Sequence, residues 1–311
     1  MSTPINRRKF IADTSFSAFG IVMGGNITGI SSGNNNKPVS SYDLMKDVMK
    51  YRKIDAHCHP EQDLARQIEM ADRLGIEKIQ ISNPVTNFSG NEPEGPEEVR
   101  KNNDVVCRAM KQYPGRFIGF FTLNPAYTKE SLEEIKRCVD MGMAGYKGYI
   151  QVKVNDPLYY PIIEKLIDLK MIVYMHTFCQ MGIGGYRMKY DTGRFPNTTL
   201  PEDMVDAATR YPEATFHFAH IGGGGDWEYE CKILMDHPNI YVDTGGSNNE
   251  ENMIDFAIKH LGEDRIFFGT DNCYHHGVGK ILASNATDAQ KRKIFYENYM
   301  NVLRKGGRYA D

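Results

Sequence analysis

From residue 53 onward, short apolar segments alternate with longer segments in which apolar residues recur every three or four positions. The spacing of Leu132, Ile135 and Val139, for example, follows the i, i+3, i+4 period of an amphipathic helix. The apolar segments predict strands over residues 53–59, 78–82, 117–123, 145–152, 171–177, 215–220, 240–244 and 266–271. The periodic segments predict helices over residues 64–74, 96–112, 129–141, 158–169, 202–211, 229–236, 252–261 and 289–304.

This alternation of strand and helix, repeated roughly eight times over ~250 residues, predicts an α/β fold of the (β/α)8 TIM-barrel type. An open doubly wound sheet is disfavoured, because no Gly-x-Gly-x-x-Gly turn follows the first strand and the candidate ligands are spread over distant strands. The sequence shows no linker after residue 53. We therefore predict a single barrel domain over residues 41–311.

Residues 1–40 differ from this pattern. Arg7 and Arg8 precede a mildly apolar run around residues 19–23 and then a polar stretch around residues 31–36. This order resembles a bacterial twin-arginine export signal, with a disordered basic N-terminus as the alternative. The apolar run is too short and too polar to predict a stable membrane anchor. We expect residues 1–40 to be a signal and polar linker that direct the protein out of the cytoplasm, to the periplasm.

The composition is that of an ordinary globular protein. The chain has 311 residues, of which 41% are hydrophobic and 25% are charged, so it can bury the core of one large domain. A formal net charge of -3, without a basic stripe, argues against nucleic acid as a partner. The six cysteines form no Cys-x-x-Cys pair, and we interpret them as small buried residues. We expect a small-molecule substrate, and the sequence leaves a homo-oligomer open.

Two histidines, His57 and His59, stand at the end of the first predicted strand, just before Pro60. Alternation along a strand would place these two side chains on one face and Cys58 on the other. Neutral imidazole is the commonest side-chain ligand of zinc and similar divalent ions. The pair therefore predicts half of a metal coordination sphere, although a bare His-x-His on its own is a weak signal.

Further candidate ligands close other predicted strands. His176 ends the fifth strand, His220 the sixth and Asp271 the eighth, and the strand ends of a barrel meet on one rim. A carboxylate after the apolar run before Asp271 is costly to bury unless it binds a cation or a hydrogen-bond donor. By alternation, only one of His217 and His220 can face the barrel mouth. We expect that residue to be His220, with His217 packed under the helices.

These residues carry a family resemblance. His-x-His on strand one, a histidine ending strand five, His-Ile-Gly-Gly from His220 and Phe-Gly-Thr-Asp ending at Asp271 resemble the amidohydrolase superfamily. Within it, the chain is most similar to the amidohydrolase-related branch that includes aminocarboxymuconate-semialdehyde decarboxylase and small lactone hydrolases. The resemblance runs from about residue 53 to about residue 305. It implies that one divalent metal ion, which we expect to be zinc, is held by His57, His59, His176 and Asp271.

Hydrolysis is the main expectation from this arrangement. Three imidazoles and one carboxylate leave a coordination position for water, whose pKa a bound metal lowers toward ~7. Asp271 would take and return the proton, and His220 would polarise the substrate carbonyl or the water. The resemblance favours a lactone or related ester as the substrate.

Three alternatives remain. The same ligands would serve a non-hydrolytic, metal-dependent decarboxylase of the same branch, and the sequence does not separate the two reactions. A binuclear site bridged by a carboxylated Lys147 on strand four is the second alternative, although we favour a lysine paired with a carboxylate inside the barrel. A barrel that binds a ligand without catalysis is disfavoured, because the sequence lacks none of the expected ligands.

Substrate contacts are predicted from the segments that follow the strands. The loop after strand five is rich in glycine and carries Arg187 and Arg194, which could bind a carboxylate. Trp227, the only tryptophan, could form a stacking wall beside the site or pack in the core. His275 and His276 are expected to be exposed on a loop after strand eight.

Overall fold

Eight parallel strands follow one another in chain order, each hydrogen-bonded to the next. The strands are β1 (Lys53–Cys58), β2 (Ile76–Ile81), β3 (Phe117–Phe121), β4 (Gly145–Gly148), β5 (Ile172–His176), β6 (Thr215–Ala219), β7 (Ile240–Asp243) and β8 (Ile266–Phe267). This computed structural model describes residues 43–84, 94–177, 197–221, 226–246, 248, 250 and 252–306. The predicted export signal over residues 1–40 lies outside the described residues.

The sheet closes between its first and last strands. The backbone N–H of Ala56 in β1 donates to the carbonyl of Phe268 at 2.8 Å, and the N–H of Asp271 donates to the carbonyl of His57 at 2.7 Å. These bonds join the two edges of the sheet, as barrel closure requires. The barrel belongs to a compact unit that begins at Leu44. The predicted (β/α)8 fold is confirmed.

Helices connect the strands and cover the outside of the barrel. They are α1 (Leu44–Met49), α2 (Leu64–Arg73), α3 (Pro96–Gln112), α4 (Thr128–Asp140), α5 (Tyr160–Asp168), α6 (Pro201–Arg210), α7 (Trp227–Leu234), α8 (Met253–Leu261), α9 (Tyr274–Ala283), α10 (Asp288–Arg292) and α11 (Asn298–Lys305), with a π-helical turn at Lys293–Glu297. The sequence does not predict α1 or α9. The expectation that His275 and His276 lie on a loop is wrong, because both residues belong to α9. Of the described helices, none is long and apolar enough to cross a membrane.

Two layers of apolar side chains form the core. Outward-facing strand residues pack against the helices, while alternate residues such as Ile118 and Phe120 face the barrel interior. Helix α11 closes one end of this interior, where Tyr299 contacts the inner cluster. The side chain of Asn298 donates to the carbonyl of Ile266 at 2.9 Å, which holds α11 at the amino ends of the strands. Helix α11 therefore leaves the carboxyl ends of the strands uncovered, and these are the ends at which barrel enzymes carry their active sites.

The strands that lead to the site end earlier than the sequence predicts. β6 ends at Ala219 and β8 at Phe267, so His220 and Asp271 lie just after their strands. The end of an apolar run in the sequence does not mark the last hydrogen-bonded residue of a strand. The residues that turn over the barrel mouth after a strand can be as apolar as the strand itself. The period-two alternation of a strand therefore does not extend to these residues.

Candidate metal centre

The carboxyl ends of β1 and β8 bring three candidate ligands together. One nitrogen each of His57 and His59 and one carboxylate oxygen of Asp271 lie within 4.8 Å of one another. Oδ1 of Asp271 lies 3.6 Å from Nε2 of His57 and 3.2 Å from Nε2 of His59. Because β1 and β8 are neighbours across the barrel seam, residues from the two ends of the barrel sequence meet here.

Both imidazoles present the nitrogen that a metal needs. Nδ1 of His59 lies 2.8 Å from the carbonyl oxygen of Ser82, and Nδ1 of His57 lies 3.2 Å from Oδ1 of Asp243. A carbonyl and an ionised carboxylate only accept, so Nδ1 carries the proton in each ring and Nε2 keeps its lone pair. Such outer contacts are typical of metal-ligating histidines. The residues present therefore fit a divalent metal ion.

Two further histidines border this group. The ring of His220 stacks on that of His57 at a centroid distance of 5.2 Å, and its Nε2 lies 3.6 Å from Oδ2 of Asp271. The ring centroid of His176 lies 5.9 Å from that of His220. His176 is not one of the three residues that converge, so its role as a fourth ligand stays a prediction.

His217 faces the barrel interior, so the prediction that it packs under the helices is wrong. Its ring stacks on that of Tyr174 at a centroid distance of 3.8 Å, and its Nε2 lies 2.9 Å from Oδ2 of Asp243. Ala219, two residues later, belongs to the same inner cluster as Tyr174. His220 follows the end of β6, where strand alternation no longer applies. Both histidines therefore reach the inside of the barrel.

Asp243, the last residue of β7, is a site residue that sequence reasoning misses. Its fully buried carboxylate accepts from Nδ1 of His57, Nε2 of His217, the hydroxyl of Tyr174 at 3.1 Å and the N–H of Gly245 at 2.7 Å. Burial raises the pKa of this carboxyl, but the two imidazoles outweigh burial and hold the pKa well below its usual range. A carboxylate that follows an apolar run in the sequence, as Asp271 also does, is the signal that could have found it.

The turn after β8 aims Asp271 and also holds His59. Asp271 and Asn272 have φ angles of 51° and 61°, in the left-handed region that these two residue types adopt more readily than other non-glycine residues. The side-chain oxygen of Asn272 accepts from the backbone N–H of His59 at 2.8 Å, and its amide donates to the carbonyl of His59 at 3.0 Å. Asn272 therefore fixes the peptide that carries the second imidazole.

The site combines ionised carboxylates with neutral imidazoles. Burial raises the pKa of Asp271, but His57, His59 and His220 outweigh it and hold the pKa well below its usual range. Burial, reinforced by the charge of Lys147, lowers the pKa of His57 to about 3. Burial likewise lowers the pKa of His220. At neutral pH, Asp271 is therefore a charged acceptor and these imidazoles keep a lone pair for a cation.

Lys147 lies inside the barrel on β4. Its Nζ is buried, lies 3.3 Å from the centroid of the Tyr174 ring, and has no hydrogen-bonding partner within the described part of the chain. Burial lowers the pKa of Lys147 to about 7, against the opposing charges of Asp243 and Asp271. The expected pairing with a carboxylate is therefore wrong for the described residues, because the ammonium contacts an aromatic face instead.

Within the described part of the chain, the structure does not place any of the three predicted substrate-binding residues beside the candidate ligands. Arg187 and Arg194 lie outside the described residues. Trp227 is the first residue of α7, and its ring packs edge-on against Phe256 of α8 at a centroid distance of 5.2 Å. This contact accounts for the tryptophan as packing between two helices, and its role in binding a substrate stays a prediction.

Known proteins with similar sequences and structures include several named enzymes. The chain is 22% identical over 276 residues to 2-amino-3-carboxymuconate-6-semialdehyde decarboxylase of Dictyostelium discoideum, covering 80% of this chain and 76% of that protein. Its structure resembles 2,6-dihydroxybenzoate decarboxylase from Rhizobium, with a TM-score of 0.65, 17% identity, and coverage of 82% of this chain and 99% of that one. It also resembles dihydroxybenzoic acid decarboxylase from Polaromonas sp. JS666, solved with bound manganese, with a TM-score of 0.61, 20% identity, and coverage of 79% and 86%.

These relatives overturn the expectation of a lactone hydrolase. Each is named as a decarboxylase, the reaction that the sequence analysis keeps as an alternative. The hydrolase prediction is therefore wrong. The error has a chemical reason: one metal held by the same imidazoles and carboxylate can activate a water or orient a substrate, and the ligands themselves do not separate the two reactions.

The amidohydrolase family model matches residues 54–304 of the chain. The match begins within β1 and ends within α11, so it spans the whole barrel and every candidate ligand. This agreement confirms the resemblance inferred from the strand-end motifs. The chain belongs to the amidohydrolase family of enzymes.

Proposed function

We propose that this protein is a metal-dependent, non-oxidative decarboxylase of a small aromatic or unsaturated carboxylic acid. The observation that carries the proposal is the group of His57, His59 and Asp271, with His220 beside it, at the carboxyl ends of the strands. The named decarboxylases to which the chain is similar support this reaction class. One zinc ion is the proposed cofactor, because imidazole and carboxylate ligands suit zinc, and manganese is the alternative that the Polaromonas relative suggests.

Decarboxylation breaks the bond between a substrate carbon and its carboxylate group. The electron pair stays on that carbon, carbon dioxide leaves, and a proton must reach the carbon in its place. When bound, a divalent cation would supply positive charge that orients substrate oxygens and stabilises the negative charge that develops. The residues of the chain must position the substrate and hold the proton.

Asp271 is suited to hold that proton. Its side chain is 30% exposed, so a substrate can reach the carboxylate, and the surrounding imidazoles keep its pKa low enough for it to be ionised at neutral pH. In the proposed reaction, Asp271 accepts a proton from a hydroxyl or amino group of the substrate. It then gives this proton to the carbon that loses carbon dioxide and is ionised again, while the hydroxyl oxygen or amino nitrogen of the product regains a proton from water.

His220 is suited to hold a substrate oxygen. Its Nε2 lies 3.6 Å from Asp271, and its Nδ1 has no hydrogen-bonding partner within the described part of the chain. A neutral imidazole donates from one nitrogen and accepts at the other. His220 can therefore donate to a carboxylate or phenolic oxygen and orient the substrate against Asp271.

The purified, zinc- or manganese-loaded protein should release carbon dioxide from ortho-hydroxylated aromatic acids such as 2,6-dihydroxybenzoate, the acid named for the Rhizobium relative. The assay follows carbon dioxide together with the ultraviolet absorbance of the acid. Metal analysis of the same preparation should find about one equivalent per chain. A chelator-treated sample should be inactive and should recover when the metal is restored.

Two results of this assay would contradict the proposal. Cleavage of aromatic or sugar lactones, without carbon dioxide release from any acid, would reject the decarboxylase. About two metal equivalents per chain would reject the mononuclear site and favour one bridged by Lys147.

We also propose that the protein is exported in folded form by the twin-arginine route. The proposal rests on Arg7 and Arg8 in the sequence, and export after folding suits a protein that binds its metal in the cytoplasm. Cell fractionation should find the chain in the periplasm, and replacing both arginines by lysine should retain it in the cytoplasm. An unchanged distribution of the double variant, with the full-length chain in the cytosol, would contradict export.

A further inference from the structure

Lys147 differs from two other lysines that are buried or half-buried, Lys53 and Lys280. Lys53, at the start of β1, is also fully buried, but its Nζ donates to two backbone carbonyls. Lys280 on α9 likewise donates to two backbone carbonyls. Nζ of Lys147 has no such acceptor within the described residues. A buried ammonium without an acceptor is costly, so an anionic oxygen that reached Nζ would stabilise it.

The rings of Tyr174 and Tyr149 each lie close both to the ammonium of Lys147 and to a candidate metal ligand. Nζ is 3.3 Å from the ring centroid of Tyr174, and the same ring lies nearly perpendicular to that of His57 at a centroid distance of 5.3 Å. Nζ is also 5.6 Å from the ring centroid of Tyr149, which lies 6.3 Å from that of His59. Both aromatic neighbours of the ammonium therefore contact the metal group.

The two carboxylates that act on Lys147 already have other donors. Asp243 accepts from two imidazoles, a hydroxyl and a backbone N–H. Asp271 faces Nε2 of His57, His59 and His220. The positive charge of Lys147 is thus attracted to these carboxylates without being bound by them. Neither carboxylate therefore uses the hydrogen bonds that the ammonium of Lys147 can donate.

We propose that Lys147 is a substrate-binding residue whose ammonium group binds a carboxylate oxygen of the acid. The inference rests on the proposed function, which supplies the carboxylate. A charge-assisted hydrogen bond in a buried site is stronger than a neutral one, so Lys147 favours acids over uncharged analogues of the same shape. Before the acid binds, the faces of Tyr174 and Tyr149 stabilise the ammonium by cation–π contact.

Equilibrium binding of 2-hydroxybenzoate and its uncharged analogue 2-hydroxybenzamide to the zinc-loaded protein tests this assignment. Replacing Lys147 by methionine should weaken binding of 2-hydroxybenzoate by about 10- to 100-fold, the loss expected for a charged hydrogen bond. Binding of 2-hydroxybenzamide should change by less than about twofold, because the amide makes no charged bond to the lysine. In an active enzyme, the change should appear mainly in KM and not in kcat.

The matched control is Lys53→Met, which removes a buried lysine at the opposite end of the barrel. It should leave both affinities unchanged. Thermal unfolding and metal content of each variant show whether the site is intact, and Lys147→Gln replaces Lys147→Met if the methionine variant does not fold. Equal losses for the two ligands, unchanged binding of the acid, or a wild-type protein that does not prefer the acid would each overturn the role of Lys147.

Measuring carbon dioxide release by the wild-type protein, beside the binding measurements, distinguishes failure of this inference from failure of the proposed function. A wild-type protein that decarboxylates acids, with a Lys147→Met variant that binds 2-hydroxybenzoate normally, would reject the lysine and keep the function. A charge preference that is lost in the variant, without decarboxylation by the wild type, would keep Lys147 as a carboxylate-binding residue and reject the function.

Discussion

Replacing Asp271 by asparagine should abolish carbon dioxide release, lowering kcat by about 10²- to 10⁴-fold, the usual contribution of a positioned acid–base group. Asparagine has the same shape and tolerates the φ angle of 51° at this position. The backbone N–H also keeps its bond to the carbonyl of His57. The amide, however, cannot accept the proton and carries no charge toward the imidazoles. Activity should therefore be lost from a folded barrel.

The control for this variant is Asp140→Asn, which removes an exposed carboxylate at the end of α4. Steady-state rates, circular dichroism and metal content should be measured on both proteins. The control should match the wild type in all three. A fully active Asp271→Asn protein would reject proton transfer by Asp271. An inactive variant with normal metal content would show that the substitution impairs the reaction step and not metal binding.

Replacing Asp243 by asparagine should weaken metal binding by about 10- to 100-fold, as loss of an outer partner of a metal-ligating histidine commonly does. Oδ1 of Asp243 lies 3.2 Å from Nδ1 of His57 and holds the proton on that nitrogen, which leaves Nε2 for the metal. The carboxylate serves four donors through two oxygens, whereas an amide has one oxygen. At least one buried donor is then unsatisfied, which should also cost about 1–3 kcal/mol of folding stability.

Competition with a chelator of known zinc affinity measures this effect without any assay of turnover. Tyr174→Phe is the matched variant, because it removes one donor to Asp243 while keeping the carboxylate and the ring beside Lys147. It should bind zinc nearly as well as the wild type. If Asp243→Asn and the wild type bind zinc equally, the carboxylate does not position His57 for the metal.

The barrel could be predicted because its signals are local. Strand and helix periods alternate along the chain, and strands of a parallel sheet that is buried on both faces read as continuous apolar runs. The same reasoning named His57, His59 and Asp271 from their places at strand ends. The seam between β1 and β8 brings their ligand atoms within 4.8 Å of one another.

Residues whose roles depend on a distant partner could not be predicted in this way. His57 and Asp243 are 186 positions apart, and nothing in either segment indicates the other. His217 was assigned to the wrong face because the end of β6, and so the limit of alternation, is set by hydrogen bonds to neighbouring strands. The reaction itself was misassigned because hydrolases and decarboxylases can use the same metal ligands.

By itself, the sequence determined the fold class and placed the candidate ligands at or shortly after the carboxyl ends of strands, since hydrophobic periodicity follows directly from which face of each element is buried. Only the tertiary structure decided that Asp243 holds His57, that Asn272 holds His59, and that the ammonium of Lys147 lies over the ring of Tyr174. Each of these contacts joins different strands or the turns that follow them. Their geometry depends on barrel closure, which no single segment encodes.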